Sequence, residues 1–331
     1  MPKLFYFAYD HNEARGGQKD TYLHVDLLNR NGFEAYVLHS ENGFRLNWFD
    51  NNTPVVGLDN FGRIYESRTD YVVLPEDLTL ESGAHFGKTI IFNKGLYNGF
   101  VALGHRTPLP YLYRLPEVKG AFSVSEHNAA HLRFAFPNLP VYRVALGIDT
   151  DIFRYVNAAH KHRQIAYVLK NIPVLSTVYH MLHARAEAGL NQLRTYRWVP
   201  LQGFTEAEVS HCLQESLMLL FLSVEEGMPR TALEAMACGC LVLGHGAGPL
   251  LELLLPEFQF PYGDCIAIAR SIEGITNNFI ERPDMFASSS DKSRAIALRY
   301  SKHREQETVL CAWESIFQKD LTYAPKWMAL T

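Results

Sequence analysis

Residues 221–244 read FLSVEEGMPRTALEAMACGCLVLG, and the order of residue types in this stretch decides the fold. The apolar run at 217–222 is a strand candidate of the kind buried on both faces. A short loop follows, carrying Glu225, Glu226 and Gly227. Residues 229–238 predict a helix, with Pro229 in its first turn and Gly239 just past its end. Residues 240–243 are the next apolar run. Strand, loop, helix, glycine, strand is a β-α-β unit, and such units build parallel sheets.

The same rhythm extends in both directions. Residues 165–169 and 197–201 read as strands, with helical stretches at 174–189 and 206–215. Thr205 stands three residues before Glu208, a capping-box pattern that starts the second of these helices. In the first half, strands at 4–9 and 35–39 flank a helical stretch at 20–31. Its Leu23, Leu27 and Leu28 keep helical spacing, and Gly32 suits its C-terminus. Residues 71–74, 89–92, 121–124 and 141–145 continue the strand series, with a helix at 128–134. Residues 149–163 lose the periodicity and carry His160, Lys161, His162 and Arg163 in a row, so a linker is expected there. Ser288 to Ser290 read as a loop, and an amphipathic helix at about 302–318 closes the pattern.

A chain of 331 residues, 47% hydrophobic and 20% charged, is an ordinary globular protein long enough for two domains. The expected domains are 1–153, joined by a C-terminal helix at about 302–331, and 164–301. The net charge is −4, and the first 150 residues hold 14 basic against 16 acidic side chains. That balance argues against a nucleic-acid binder. Five cysteines without a C-x-x-C pair suggest small buried thiols rather than a disulfide framework or a zinc site. The longest apolar stretch, 216–224, is far short of the ~20 residues of a membrane span. A cytoplasmic protein is expected, compatible with peripheral membrane contact.

The chemistry concentrates where the reading began. Glu226 lies in the loop before the helix, and Glu234 about 7 Å further along the helix axis at 1.5 Å per residue. Between them the helix N-terminus offers unpaired N–H groups, a natural anion site. A nucleotide sugar has the matching shape, with its diphosphate between two hydroxyl-bearing ends. A helix with an acid near its start and a surface Glu further in has the same spacing.

This segment, with Ser223, Glu226, Gly227, Glu234, Ala235, Met236, Ala237 and Gly239, closely resembles the E-x7-E signature of retaining glycosyltransferases of family 4, which have the GT-B fold. The likeness runs over about 165–255 and includes Gly203-Phe204 before it and Gly244 to Gly248 and Glu252 after it. More faintly, Arg15-Gly16-Gly17-Gln18, Ser123 to Glu126 and Ala145 to Asp149 are similar to the family's glycine loop, strand end and hinge segment. The resemblance implies two Rossmann-like domains with parallel sheets facing a central cleft. It implies that Glu226 orients a hexose, that Glu234 holds the ribose, and that Gly16, Gly17, Gly227, Met228, Pro229 and Arg230 surround the donor diphosphate. Lys170 stands where the family's cations act, without the usual Arg, and Arg230 is expected to compensate. Asn93 stands where many members carry His and is expected to reach the sugar.

The expected function is retaining transfer of a hexose from a UDP- or GDP-type sugar to an acceptor hydroxyl, by front-face displacement without a metal or other cofactor. The acceptor class stays open among carbohydrate, lipid-linked and small-molecule hydroxyls. The aromatic-rich stretch 97–113 is a candidate acceptor wall, although core packing explains any single ring there. A nucleotide-sugar epimerase of the same fold and a non-catalytic sugar-binding subunit are the competing expectations. No G-x-G-x-x-G follows the first strand, which argues against a dinucleotide oxidoreductase.

Overall fold

The computed structural model describes residues 1–13, 16–78, 86–101 and 112–323. Arg15, residues 102–111 of the aromatic stretch and residues 324–331 of the expected C-terminal helix lie outside them. The chain divides into two compact units, Met1–Leu146 with the chain from His303, and Gly147–Lys302.

The first unit alternates β1 (Lys3–Phe7), α1 (Gly16–Arg30), β2 (Glu34–His39), β3 (Val55–Gly57), α2 (Leu58–Ile64), β4 (Tyr71–Pro75), β5 (Lys88–Asn93), α3 (Leu96–Val101), β6 (Val118–Ser123), α4 (Glu126–Ala135) and β7 (Val141–Arg143). All seven strands are parallel, in the order β3-β2-β1-β4-β5-β6-β7. The order reverses between β1 and β4, the switch point of a doubly wound sheet. Helix α1 ends as Gly32 predicts. With φ +83° it lets its own N–H reach the Asn29 carbonyl and the Phe33 N–H reach the Leu28 carbonyl. This is a Schellman closure, which needs a residue free to adopt positive φ.

The second unit alternates β8 (His162–Tyr167), α5 (Ile172–Glu187), β9 (Arg197–Pro200), α6 (Glu206–Glu215), β10 (Ser216–Phe221), α7 (Arg230–Ala237), β11 (Leu241–His245), β12 (Gln259–Phe260), α8 (Cys265–Glu281) and α9 (Ala287–Ala297). Its five strands are also parallel, in the order β12-β11-β10-β8-β9, with the switch point between β8 and β10. Every residue of β10 is buried, the burial expected of a central strand covered on both faces. Thr205 accepts from the Glu208 N–H while the Glu208 carboxylate reaches back to Thr205, so the capping box is complete.

Helix α10 (Lys302–Tyr323) carries the chain into the first unit again. Trp313 is fully buried there. Its Nε1 donates to Tyr6 Oη at 2.9 Å, and its ring packs on Tyr71, Phe122 and Phe317. Among the described residues no helix is long and apolar enough to cross a membrane.

Two local expectations need correction. Ser288 to Ser290 are helical, in α9, because Ser290 is buried and its hydroxyl donates to the Gly239 carbonyl at 2.8 Å. Packing against α7 overrides the weak helix preference of serine. Residues 149–163, read as a linker, are instead packed parts of the second unit. Lys161 is 5% exposed and its ammonium donates to the carbonyls of Leu213 and Cys238, at the ends of α6 and α7. A cation at two helix C-termini complements both dipoles. The thiols are all free, yet only Cys212, Cys238 and Cys240 are buried, and Cys311 is exposed.

Candidate functional site

The second sheet's switch point brings the ends of β8 and β10 side by side. Three residues beyond β8 comes Lys170. The loop after β10 carries Ser223, Val224, Glu225 and Glu226. A cavity of about 370 Å³ opens here, lined by Lys170, Asn171, Ser223, Val224, Glu225 and Tyr262. The Lys170 ammonium is in hydrogen-bonded contact with the Glu226 carboxylate. The Lys170 side chain is half exposed and that of Glu226 15% exposed, so the pair sits at the cavity rim rather than in the core.

Asn171 was not among the expected site residues. It is the one non-glycine residue at positive φ among the described residues, at φ 53°, ψ 53°. Its side chain donates to the Leu222 carbonyl at 3.4 Å, tying the two strand ends together. Left-handed backbone is tolerated best by Asn after Gly, and such outliers gather at ligand sites. Tyr262, 66% exposed, forms another part of the wall. His245, at the end of β11, supports it from within, with ring centroids 5.0 Å apart. His245 is fully buried, and burial pushes its ring below the ordinary histidine value, so it is neutral.

Gly227, Met228 and Pro229 are buried in the turn that leads to α7. The helix starts at Arg230 with no side-chain cap, and the Pro229 carbonyl takes the N–H groups of Ala232 and Leu233. As at any helix N-terminus, the first amides of α7 point out of the helix. Glu234 is 7% exposed, which removes the surface-glutamate alternative. The Arg230 Nη1 donates to the Gly147 carbonyl at 2.9 Å, which ties the start of this unit to α7. Asp149-Thr150-Asp151, the chain's Asp-x-Asp tripeptide, is a turn. Asp149 accepts the Asp151 N–H at 3.1 Å and pairs with Lys302. Among the described residues no group of three His, Cys, Asp or Glu side chains is arranged to hold a metal.

The remaining expected residues belong to the first unit. Gly16 and Gly17 form the first turn of α1, after β1. A Cβ on Gly16 would meet no atom within 4 Å, whereas one on Gly17 would lie 3.4 Å from the Lys94 side chain. Asn93 does not reach an open surface. It is fully buried, donates to Tyr113 Oη at 2.8 Å and accepts from Asn128 Nδ2 at 2.9 Å. It is a structural bridge between β5 and α4, because its amide is enclosed on both sides.

Comparison with known proteins bears on the fold and on residues 154–278. Residues 154–278 match the family model for glycosyl transferases group 1. A curated relative, the MMP α-(1→4)-mannosyltransferase of Mycolicibacterium hassiacum, is 27% identical over 197 residues, covering 50% of this chain. The match spans 44% of that relative's length. Among solved structures, sucrose-phosphate synthase from Thermosynechococcus elongatus superimposes with a TM-score of 0.68 at 13% identity, over 98% of this chain and 100% of that one. A glycosyltransferase from Rickettsia africae gives 0.68 at 12%, over 96% and 98% of the two chains. Anabaena HepE in complex with UDP and glucose gives 0.62 at 12%, over 95% and 100%. The fold is GT-B, and residues 154–278 carry the likeness to glycosyl transferases group 1.

Proposed function

We propose that the protein is a retaining hexosyltransferase of the E-x7-E type, using a UDP or GDP sugar. The observation that carries this reading is the Lys170–Glu226 pair at the rim of the switch-point cavity, beside the uncapped N-terminus of α7. A diphosphate would take Lys170 and the terminal amides, and the hexose hydroxyls would take Glu226. Glu234, nearly buried one to two turns into α7, would accept from the ribose. The mannosyl activity in the curated relative's name and the UDP in HepE support a nucleotide hexose as donor.

In the reaction the bond from the anomeric carbon to the diphosphate oxygen breaks, and its electron pair leaves on that oxygen. The acceptor oxygen bonds to the anomeric carbon on the same face, and its proton passes to the departing diphosphate. Lys170 and the α7 amides stabilise the charge that builds up, a task of positioning and preorganised electrostatics that needs no metal. Five free thiols suit a reducing cytoplasm. The acceptor hydroxyl can be borne by a carbohydrate, a lipid-linked sugar or a small molecule.

A thermal-shift panel of UDP, GDP, ADP and their sugars tests the reading, since a ligand of the folded state raises Tm by mass action. One nucleotide series should stabilise selectively, and Glu226→Ala should abolish transfer from the matching sugar. Full transfer by Glu226→Ala, or epimerised free sugar as the product, overturns it.

A further inference from the structure

Between β8 and α5 the chain has residues 168–171 in which to leave the sheet and enter a helix. Val168 still follows the sheet, giving its N–H to the Leu220 carbonyl at 3.3 Å. Lys170 closes a tight turn, its N–H on the Val168 carbonyl at 2.8 Å. Asn171 comes next and is the N-cap of α5, its carbonyl accepting the Leu175 N–H at 3.2 Å.

Asparagine is among the best N-cap residues, because an extended backbone there lets its side-chain oxygen take an N–H of the first turn. Asn171 does neither. Its backbone is left-handed and its side chain makes no cap bond. The amide reaches away from the helix, to the Leu222 carbonyl beyond β10. The residue thus forgoes its usual contribution to α5. It sets instead the course of the chain on its N-terminal side, where Lys170 stands against Glu226.

The elements on either side of this segment cannot adjust. Leu175, Val178 and Leu182 hold α5 in the same buried cluster as Ile165 of β8 and Leu220 of β10. The segment itself can yield, since Leu169, Lys170 and Ile172 are exposed. Its restraints are an ion pair at the cavity rim and one long hydrogen bond at 3.4 Å, both weak. Left-handed backbone costs a β-branched residue more than those restraints return. With such a residue at 171 the segment gives way instead of storing strain, and Lys170 moves with it.

We propose that Asn171 is the positioning residue of the switch-point cavity, its left-handed backbone aiming the Lys170 ammonium at the place the donor's diphosphate takes. The diphosphate rests on the function proposed above. Lys170 touches the ligand, and Asn171 acts through Lys170. Glycine reaches the left-handed region without steric cost, so it meets the requirement at 171 although it lacks the amide.

Calorimetric titration of the full chain with UDP and GDP tests this, on wild type, Asn171→Gly, Asn171→Val, Lys170→Ala and the double variant Lys170→Ala/Asn171→Val. Asn171→Gly should bind the preferred nucleotide within about twofold of wild type. Asn171→Val should bind it about tenfold more weakly, as Lys170→Ala does, the loss of one charge-assisted hydrogen bond. On the Lys170→Ala background Asn171→Val should cost less than about twofold, because the ammonium it displaces is already gone. That lack of additivity is what a merely structural residue would not show. Should Asn171→Val fail to fold, Asn171→Ala takes its place with a loss of the same sign. Wild-type affinity in Asn171→Val or in Lys170→Ala, additive losses in the double variant, or Asn171→Gly as weak as Asn171→Val each overturns the proposal. A wild type that binds neither nucleotide sinks the donor reading and the proposal with it, whereas equal binding by wild type and Asn171→Val sinks the proposal alone.

Discussion

Lys170 and Glu226 lie 56 positions apart in the chain and hold each other at the cavity rim. On the proposed function each is the other's partner only until a donor arrives, with the diphosphate competing for the ammonium and the hexose for the carboxylate. Glu226→Gln therefore has effects of opposite sign. It frees Lys170, so the nucleoside diphosphate should bind up to about fivefold tighter, the worth of an exposed ion pair. It weakens the hold on the hexose, so kcat/KM should fall about ten- to hundredfold. Calorimetry with the diphosphate and steady-state rates check the two signs, and a parallel loss of both would sink the competition. The positions of these two residues were legible because the signals are local, a strand-end cation and an acid at a helix start. Asn93 was misread because its neighbours, Tyr113 and Asn128, are distant in sequence and close it off. Asn171 gave no periodic or motif signal. Its interest lies in a left-handed backbone, which only coordinates reveal.

At the scale of elements, the strands that read clearly are those buried on both faces, such as β10, where apolar content is continuous. β3 has three residues and β12 two, too short to show a period against their loops. Helix ends read well where punctuation is chemical. Gly239 closes α7 with φ +85°, donating to the Met236 carbonyl, while Cys240 donates to that of Ala235. A Cβ at Gly239 would also stand 2.5 Å from the Val156 carbonyl oxygen and 2.8 Å from the Tyr155 ring. Left-handed backbone alone costs a side-chain-bearing residue about 1–2 kcal/mol, and the clash with backbone adds to it. Gly239→Ala should thus lose more than about 2 kcal/mol in urea unfolding. A loss below half of that would show that the 149–163 segment yields freely. Such yielding is at odds with Lys161, whose buried ammonium pins it to the ends of α6 and α7.

For the whole molecule, the β-α-β rhythm announced two parallel sheets but not the path between them. The chain leaves the first unit after Leu146 and returns at His303, and nothing in its local periodicity marks the first of these points. Each unit closes its own core, with Phe5, Val72, Ile91 and Leu132 in the first and Ile165, Leu182, Leu220 and Ile272 in the second. Cooperative unfolding of the entire chain as one unit is then not expected. Trp313 gives this a test, since it lies in the last helix yet is buried against Tyr6, Tyr71 and Phe122 of the first unit. Trp313→Ala removes that packing and orphans Tyr6 Oη as an acceptor, at about 3–5 kcal/mol. Domain stabilities are typically about 5–15 kcal/mol, so the loss is a large share of what the first unit has. Calorimetry of the variant should show an early transition belonging to the first unit, while the later transition still rises with the donor nucleotide. A single transition, lowered as a whole and still responsive to nucleotide, would mean that the two cores melt as one and that Trp313 stabilises the second as well as the first.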